Sequence, residues 1–195
     1  MNLRPTLRRA LVLTALSTVW PLSACGGGNS QAWVGTFCGA GADLRVVLSQ
    51  AQANLKTRLA AGESPSAIKL AVNADAEGIV AAVAKAEGRV REAGDPPVDE
   101  GKGIELAALT TYDEISTGAK VLQTGAMYMS DRDAVALTAD LKPYSEAVAD
   151  LGQRAANSLN DLKDYKGYAD IEKASKKADP ETHVDETCAK LQAVA

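Results

Sequence analysis

Apolar residues recur along most of the chain at alternating steps of three and four, the spacing that places them on one face of an α-helix. The first such face begins at Trp33 and is clearest after Asp43, because each of several glycines before Asp43 weakens a helix by up to about 1 kcal/mol relative to alanine. We predict that this helix ends near Gly62. Its apolar or small positions are Trp33, Phe37, Ala40, Leu44, Val47, Ala51 and Leu55.

Two further faces follow with the same period. Ser64 and Pro65 supply an N-cap and a proline at the first helical position, and the second helix is predicted to end at Ala93-Gly94. Two consecutive prolines then exclude a helix and predict a stiff crossover. The second face is Ile68, Val72, Ala76, Ile79, Val83, Ala86 and Val90, and the third is Ala108, Tyr112, Ile115, Ala119, Leu122, Ala126 and Met129.

A polar segment at residues 130–133 separates the third face from a fourth, which runs from Leu137 to Leu162. Pro143 lies inside the fourth face, so we expect it to kink or divide that helix. From Tyr168 the sequence predicts a short polar helix, a break at Asp179-Pro180 and a final helical turn or two. Apolar and polar residues do not alternate for long enough to predict strands.

These elements predict an all-α protein. Four amphipathic helices joined by short loops most simply form an antiparallel four-helix bundle, here with a short C-terminal helical tail. Roughly 160 residues suit a single domain, which we place at residues 32–195. The many alanines at core positions lower the apolar area that each contact buries.

The N-terminus has the pattern of an export signal. Three arginines precede an apolar run from Ala10 to Leu22, which is shorter than the roughly 20 residues that span a bilayer. We therefore expect residues 1–24 to be a cleaved signal peptide. An ordinary secretory signal that happens to contain a cysteine is the alternative.

The residues Leu22-Ser23-Ala24-Cys25-Gly26 resemble the bacterial lipobox. The resemblance implies that the Cys25 thiol receives a diacylglyceryl group and that Cys25 becomes the N-terminus. Two acyl chains anchor a protein stably, whereas one gives only marginal binding. We expect a lipoprotein on the outer face of the cell membrane, with residues 25–31 as a flexible tether.

Net charge limits the kinds of partner, and the cysteine count predicts a cross-link. Removing residues 1–24 takes away three arginines and no acids, so the formal net charge falls from −4 to −7. An acidic chain argues against nucleic acid as a partner. Cys38 and Cys188 remain after Cys25 is used, and an even number of exported cysteines predicts a disulfide. Two separate buried thiols are the alternative.

Three features together resemble the small secreted lipoproteins of actinobacteria, a loosely defined group of helical proteins. They are Ala32-Trp33 followed by Cys38 after a lipobox, the crossover from Ala93 to Asp99, and the solitary cysteine near the C-terminus. The resemblance implies an envelope location, a Cys38–Cys188 bridge and a helical bundle. The resemblance implies no catalytic residue in this chain.

Candidate chemistry is sparse. His183 is the single histidine, so a multi-histidine zinc site, a di-iron site and a bis-histidine haem site are excluded within one chain. His183 and Glu186 form a His-x-x-Glu pair similar to a motif of imelysin-like envelope proteins, and a solvated histidine is the simpler interpretation. The glycine pairs Gly39/Gly41 and Gly101/Gly103 lack the strand-to-helix context of a phosphate loop, so we interpret them as helix-end or loop flexibility.

We therefore expect no catalytic, metal-binding or cofactor-binding residue and no enzymatic activity. The leading hypothesis is a monomeric, lipid-anchored interaction module whose protein or ligand partner the sequence does not identify. The alternative is a carrier or sensor that holds a small apolar ligand within the bundle. A carrier should contain an internal apolar cavity, whereas an interaction module should combine a filled core with an exposed apolar patch.

Overall fold

The computed structural model describes residues 30–177 and 183–192. Within these ranges the chain forms helices and no strands. The helices are α1 (Ser30–Ala60), α2 (Pro65–Ala93), α3 (Gly101–Tyr128), α4 (Ala134–Asn157), α5 (Tyr168–Ser175) and α6 (Val184–Gln192), with a 3₁₀ turn at Asn160–Leu162. None of the helices in these ranges has an apolar stretch long enough to cross a bilayer.

The first four helices form the predicted antiparallel bundle. Helix α1 packs against α2 and α4, and α3 packs against the same two helices, so the four form a closed ring. The predicted apolar faces supply most of the core. We call the end that contains the 60–65 turn and the 129–133 loop the distal end; Lys69 Nζ and Asp131 Oδ1 lie 3.7 Å apart there.

Capping side chains fix where α2 and α4 begin. Ser64 Oγ accepts a hydrogen bond from the Ala67 amide, and Asp133 Oδ1 accepts one from the Ala136 amide at 2.8 Å. The hydrogen bond from the Ala136 amide, and then one from the Arg132 side chain, lower the pKa of Asp133 below its usual range. The Asp133 carboxylate therefore stays ionised at the start of α4, where the helix dipole favours a negative charge.

The tail completes the bundle at the end opposite the distal end. Helix α4 is shorter than α1, and the first third of α1 is covered instead by α5 and α6. Arg45 Nη1 donates to the carbonyl oxygens of Lys190 and Leu191 at 3.0 and 2.5 Å, satisfying carbonyls at the end of α6. The tail is thus an integral part of the packed domain.

An aromatic cluster closes the same end. The rings of Trp33 and Phe37 are stacked with centroids 5.2 Å apart, and the Tyr112 ring meets Phe37 edge-on at 6.0 Å. Trp33 Nε1 also donates to the Gly94 carbonyl oxygen at 2.7 Å. These contacts tie α1 to α3 and to the end of α2.

Helix α1 begins earlier than the sequence predicts. It is continuous from Ser30, so Ser30 and Gln31, which the sequence assigns to the tether, belong to the helix, and Gln31 is buried. The interpretation of Gly39 and Gly41 as sites of flexibility is wrong. A Cβ on Gly41 would lie 2.5 Å from Leu191 Cδ1, so the missing side chain makes room for α6.

The second glycine pair is also explained by close packing. Gly101 is buried at the start of α3, and a Cβ there would collide with the Pro96 carbonyl oxygen. A Cβ on Gly103 would lie 2.9 Å from Tyr165 Cε1. Gly101 and Gly103 therefore let the crossover and the segment after α4 approach α3.

The expected division of the fourth helix at Pro143 does not occur, because α4 runs unbroken through it. Pro143 lies on the solvent side of α4, and Ala139, whose carbonyl loses a helical partner, is exposed and can bind water. Helix α4 ends at Asn157, so Leu159 and Leu162 are buried in the following turn and not in a continued helix.

Candidate functional site: an apolar groove between α3 and α4

The surface between α3 and α4 holds an open apolar groove of about 540 Å³. This volume falls within the range of roughly 300–1,000 Å³ that is typical of pockets for small ligands. The groove runs along the distal half of α3 and the middle of α4. Its lining residues are Gly118, Val121, Leu122, Gly125, Ala126, Tyr128, Met129, Asp140, Pro143, Tyr144, Ala147, Asp150 and Leu151.

Small residues create the groove. A Cβ on Gly118 would lie 2.9 Å from Leu151 Cδ2, so glycine allows close approach of α3 and α4 at this point. Two turns further along α3, a Cβ on Gly125 would have open space around it. The two helices therefore touch at Gly118 and leave a depression beside Gly125.

Exposed apolar side chains border this depression. Val121 is 68 % exposed and Tyr128 is 83 % exposed. Val121, Gly125 and Tyr128 follow helical spacing on the side of α3 next to its core face. Apolar surface of this kind, left open to solvent, is typical of binding sites.

The rest of the distal end is apolar as well. Among the described residues, six of the eight large apolar side chains that are exposed lie in the distal half, and only Val46 and Leu106 lie elsewhere. The six are Leu59, Leu70, Val121, Met127, Tyr128 and Val135. Exposed apolar surface is thus concentrated at the end of the bundle that is remote from Ser30.

An acidic section continues the groove towards the middle of the bundle. It is lined by Asp113, Glu114, Asp150 and Arg154, together with Thr117 and Gly118. Arg154 pairs with Asp150 at 2.8 Å and lies 3.7 Å from Glu114 Oε2. Within the described parts of the chain Asp113 forms no ion pair, so the section keeps excess negative charge.

The pKa of a neighbouring carboxyl group reflects this charge. Partial burial, and then repulsion by Glu114, raise the pKa of Asp161 above its usual value, while Lys163 lowers it. The repulsion by Glu114 makes a further negative charge unfavourable here, whereas the burial that dominates the shift disfavours an added charge of either sign.

Tyr144 forms the inner wall of the groove, and its hydroxyl group has no hydrogen-bond partner among the described residues. Burial, and then the Asp75 carboxylate, raise the pKa of this hydroxyl. Tyr144 therefore remains neutral and lies on the inward face of α4. The Tyr112 hydroxyl is also buried without a partner.

Tyr128, Tyr165 and Tyr168 lie near helix ends and differ from one another in burial. Tyr165 and Tyr168 are half-buried and pack against the core as edge residues. Tyr128 is not covered by any loop and belongs to the groove. Tyr112 and Tyr144 are core residues, as their seam positions predict.

The structure brings Cys38 and Cys188 together in a disulfide, with an S–S distance of 2.04 Å and Cα atoms 4.9 Å apart. Both cysteines are buried, and the bond joins α1 to α6. Neither sulfur is available as a nucleophile or metal ligand. Cys25, the expected lipidation site, and the signal segment at residues 1–24 lie outside the described residues.

His183 and Glu186 are both exposed, with Nδ1 and Oε1 3.9 Å apart. Among the described residues, no cluster of three or more His, Cys, Asp or Glu side chains could hold a metal ion. Asp131 pairs with Lys69, and Asp133 caps α4. The His-x-x-Glu pair therefore gains no further ligand from residues 30–177 or 183–192.

Sequence reasoning did not find the groove. Its signal is Gly118 and Gly125, seven residues apart on one side of α3, with Val121 and Tyr128 beside them and off the core face. Apolar residues outside the periodic face are ordinary when isolated, so this pattern gains meaning only once α4 is known to run alongside.

The fold and the groove define a disulfide-closed helical bundle with an open apolar groove on its surface. No family model, no curated protein and no solved structure matches the chain.

Proposed function

We propose that this protein is a non-enzymatic, lipid-anchored protein of the outer face of the cell membrane, and that it binds its partner through the groove between α3 and α4. The observation that carries the proposal is the open apolar groove together with the exposed apolar residues of the distal end. The lipobox at Cys25 supports the location.

The direction of the bundle fits this role. Residues 25–29 join α1 at Ser30, at the end opposite the groove. Helix α1 has 31 residues, which corresponds to a length of about 46 Å. An anchor at Cys25 would therefore leave the apolar part of the groove facing away from the lipid surface.

A carrier or sensor of a small apolar ligand is the second candidate, because the groove has the volume of a small-ligand pocket. The groove lies on the surface between two helices and not in the bundle interior. Large core side chains such as Phe37, Tyr112 and Ile115 are fully buried. This arrangement favours a binding module over a ligand enclosed by the bundle.

The anchor is tested by growth with radioactive palmitate. We expect label in the native protein and none in Cys25→Ala, with Cys38→Ala/Cys188→Ala as a control that keeps the label. Equal label in the native protein and in Cys25→Ala would show that no lipid is attached at this cysteine.

The binding surface is tested on intact cells with a photo-crosslinking amino acid at Tyr128. We expect a discrete adduct that disappears when Gly125→Leu fills the groove. The matched control places the crosslinker at Thr110, an exposed α3 position outside the groove. Adducts that are identical at both positions would contradict the proposal.

A further inference from the structure

We propose that the groove between α3 and α4 binds a single-chain amphiphile with a cationic head group, the chain lying beside Gly125 and the head group at the Asp113/Glu114/Asp150 section. This inference rests on the proposed function, since it specifies the ligand chemistry of the same groove. Size, shape and charge each contribute to it.

The apolar section suits a narrow hydrocarbon chain. Gly125 leaves open space, while Val121, Met129 and Ala147 supply apolar walls. Contact between Gly118 and Leu151 closes the floor at one point, so the groove is shallow there. A chain one methylene wide fits such a depression better than a bulky globular surface does.

The acidic section determines the charge of the ligand's head group and the end of the groove at which the head group lies. It adjoins the apolar section at Gly118 and Asp150, which line both. The charged groups that line it are Asp113, Glu114, Asp150 and Arg154, three acids against one base. An ammonium or guanidinium group would relieve this imbalance, whereas a sulfate or phosphate head group would increase it.

The two sections together form one elongated site. From Glu114 to Met129 the α3 side extends about 22 Å, at roughly 1.5 Å per residue. The acidic section lies at one end of this length, and the apolar section at the other end holds a single unshared carboxylate, Asp140, which accepts a hydrogen bond from the Ser130 amide. The site therefore matches a molecule whose charge is confined to one end.

The test uses residues 26–195, because the packed core from Trp33 to Leu191 lies within them. Three probes with the same twelve-carbon chain are titrated by calorimetry below their micellar concentrations: dodecyltrimethylammonium, dodecyl maltoside and dodecyl sulfate. We expect saturable binding of one cationic probe per chain, roughly tenfold tighter than the neutral probe, as about 1.4 kcal/mol of charge attraction would give. The anionic probe should bind more weakly than both.

Two variants distinguish the contribution of the apolar section to binding from that of the acidic section. Gly125→Leu should weaken all three probes by about tenfold or more, because its side chain occupies the apolar section; 1.4 kcal/mol of lost contact suffices for this factor. Asp113→Asn/Glu114→Gln should remove most of the preference for the cationic probe and leave the neutral probe unchanged. Gly125→Leu should fold normally, since a Cβ there meets no atom within 4 Å.

The matched controls lie on α2, away from the groove. Gly78 is likewise an exposed helix glycine with open space around it, so Gly78→Leu should bind like the native chain. Glu77→Gln/Glu92→Gln removes two exposed acids and should keep the preference for the cationic probe. Thermal unfolding followed by circular dichroism checks that each variant is folded.

The outcomes are distinguishable. Absence of saturable binding, equal affinity for the three probes, or the same affinities in Gly125→Leu would each overturn the inference. Sedimentation showing a dimer that Gly125→Leu dissociates would identify a second copy as the occupant and would also overturn it. A Tyr128 crosslink to a protein partner without probe binding would retain the proposed function and reject this ligand.

Discussion

Single residues in this bundle are constrained mainly by how closely their neighbours approach. The clearest example is Tyr112, whose ring lies in the aromatic cluster and whose hydroxyl group lies 3.2 Å from where a Gly41 Cβ would be. Within the described parts of the chain, the hydroxyl has no hydrogen-bond partner. A buried donor without a partner destabilises the folded state by about 1–3 kcal/mol.

Tyr112→Phe should therefore be as stable as the native protein or more stable, by up to about 1 kcal/mol. Burial raises the pKa of Tyr112 in the folded state, with Arg89 opposing the shift. An unfolded tyrosine ionises near about pH 10, so native stability should fall above that pH and should fall less steeply in Tyr112→Phe. Urea unfolding between neutral and alkaline pH measures both effects; a marked loss of stability at neutral pH would show that the hydroxyl has a partner.

Gly41 is constrained in the opposite sense, because any side chain there meets α6. Gly41→Ala should destabilise the protein by about 1–3 kcal/mol through overpacking against Leu191 and Tyr112. The matched substitution Gly78→Ala, at an open helix position, should stabilise it by roughly 0.5–1 kcal/mol. Chemical denaturation compares the two, and a stabilised Gly41→Ala would show that α6 does not pack at this position.

At the scale of elements, the apolar period was sufficient to predict four helices, because each presents one continuous face to a single core. The helix ends that depend on local chemistry were also predictable: Ser64 and Asp133 cap their helices through their own side chains. The sequence could not show that α1 starts at Ser30, because glycines lower helix propensity and only close packing against α6 and against Arg89 of α2 explains them.

The effect of Pro143 and the presence of the groove also depend on how the helices pack, which the sequence does not show. A proline inside a helix is tolerated where the freed carbonyl reaches water, and exposure is a property of the assembled bundle. The groove requires that Gly125 of α3 lie opposite Pro143 and Ala147 of α4. The sequence of either helix alone does not show how these residues align.

The attachment of α6 to α1 is the element-level contact that the disulfide secures. Cys38→Ala/Cys188→Ala should lower the free energy of unfolding by up to about 5 kcal/mol in the chain-entropy account, less any residual structure in the unfolded chain. We expect amide hydrogen exchange to rise first in α6, because Arg45 and close packing alone then hold it. The distal groove should keep its native exchange rates; faster exchange there as well would show that the tail supports the whole bundle.

At the scale of the whole molecule, the two ends of the bundle have different roles. The end at Ser30 carries the aromatic cluster, the tail and the disulfide, and the distal end carries the groove and most of the exposed apolar side chains. Under the proposed function, the end that the disulfide fastens would lie nearest the lipid anchor, and the apolar distal end would face the partner.

The Cys38–Cys188 bond also makes the chain between these residues a covalent ring. A protease that cuts once inside the ring, for instance at the exposed crossover beside Pro97, would open it without releasing either piece. The nicked molecule should migrate as one species without reductant and as two fragments with it, and it should keep its groove. Two pieces seen before reduction would show that the ring is not closed in the mature protein.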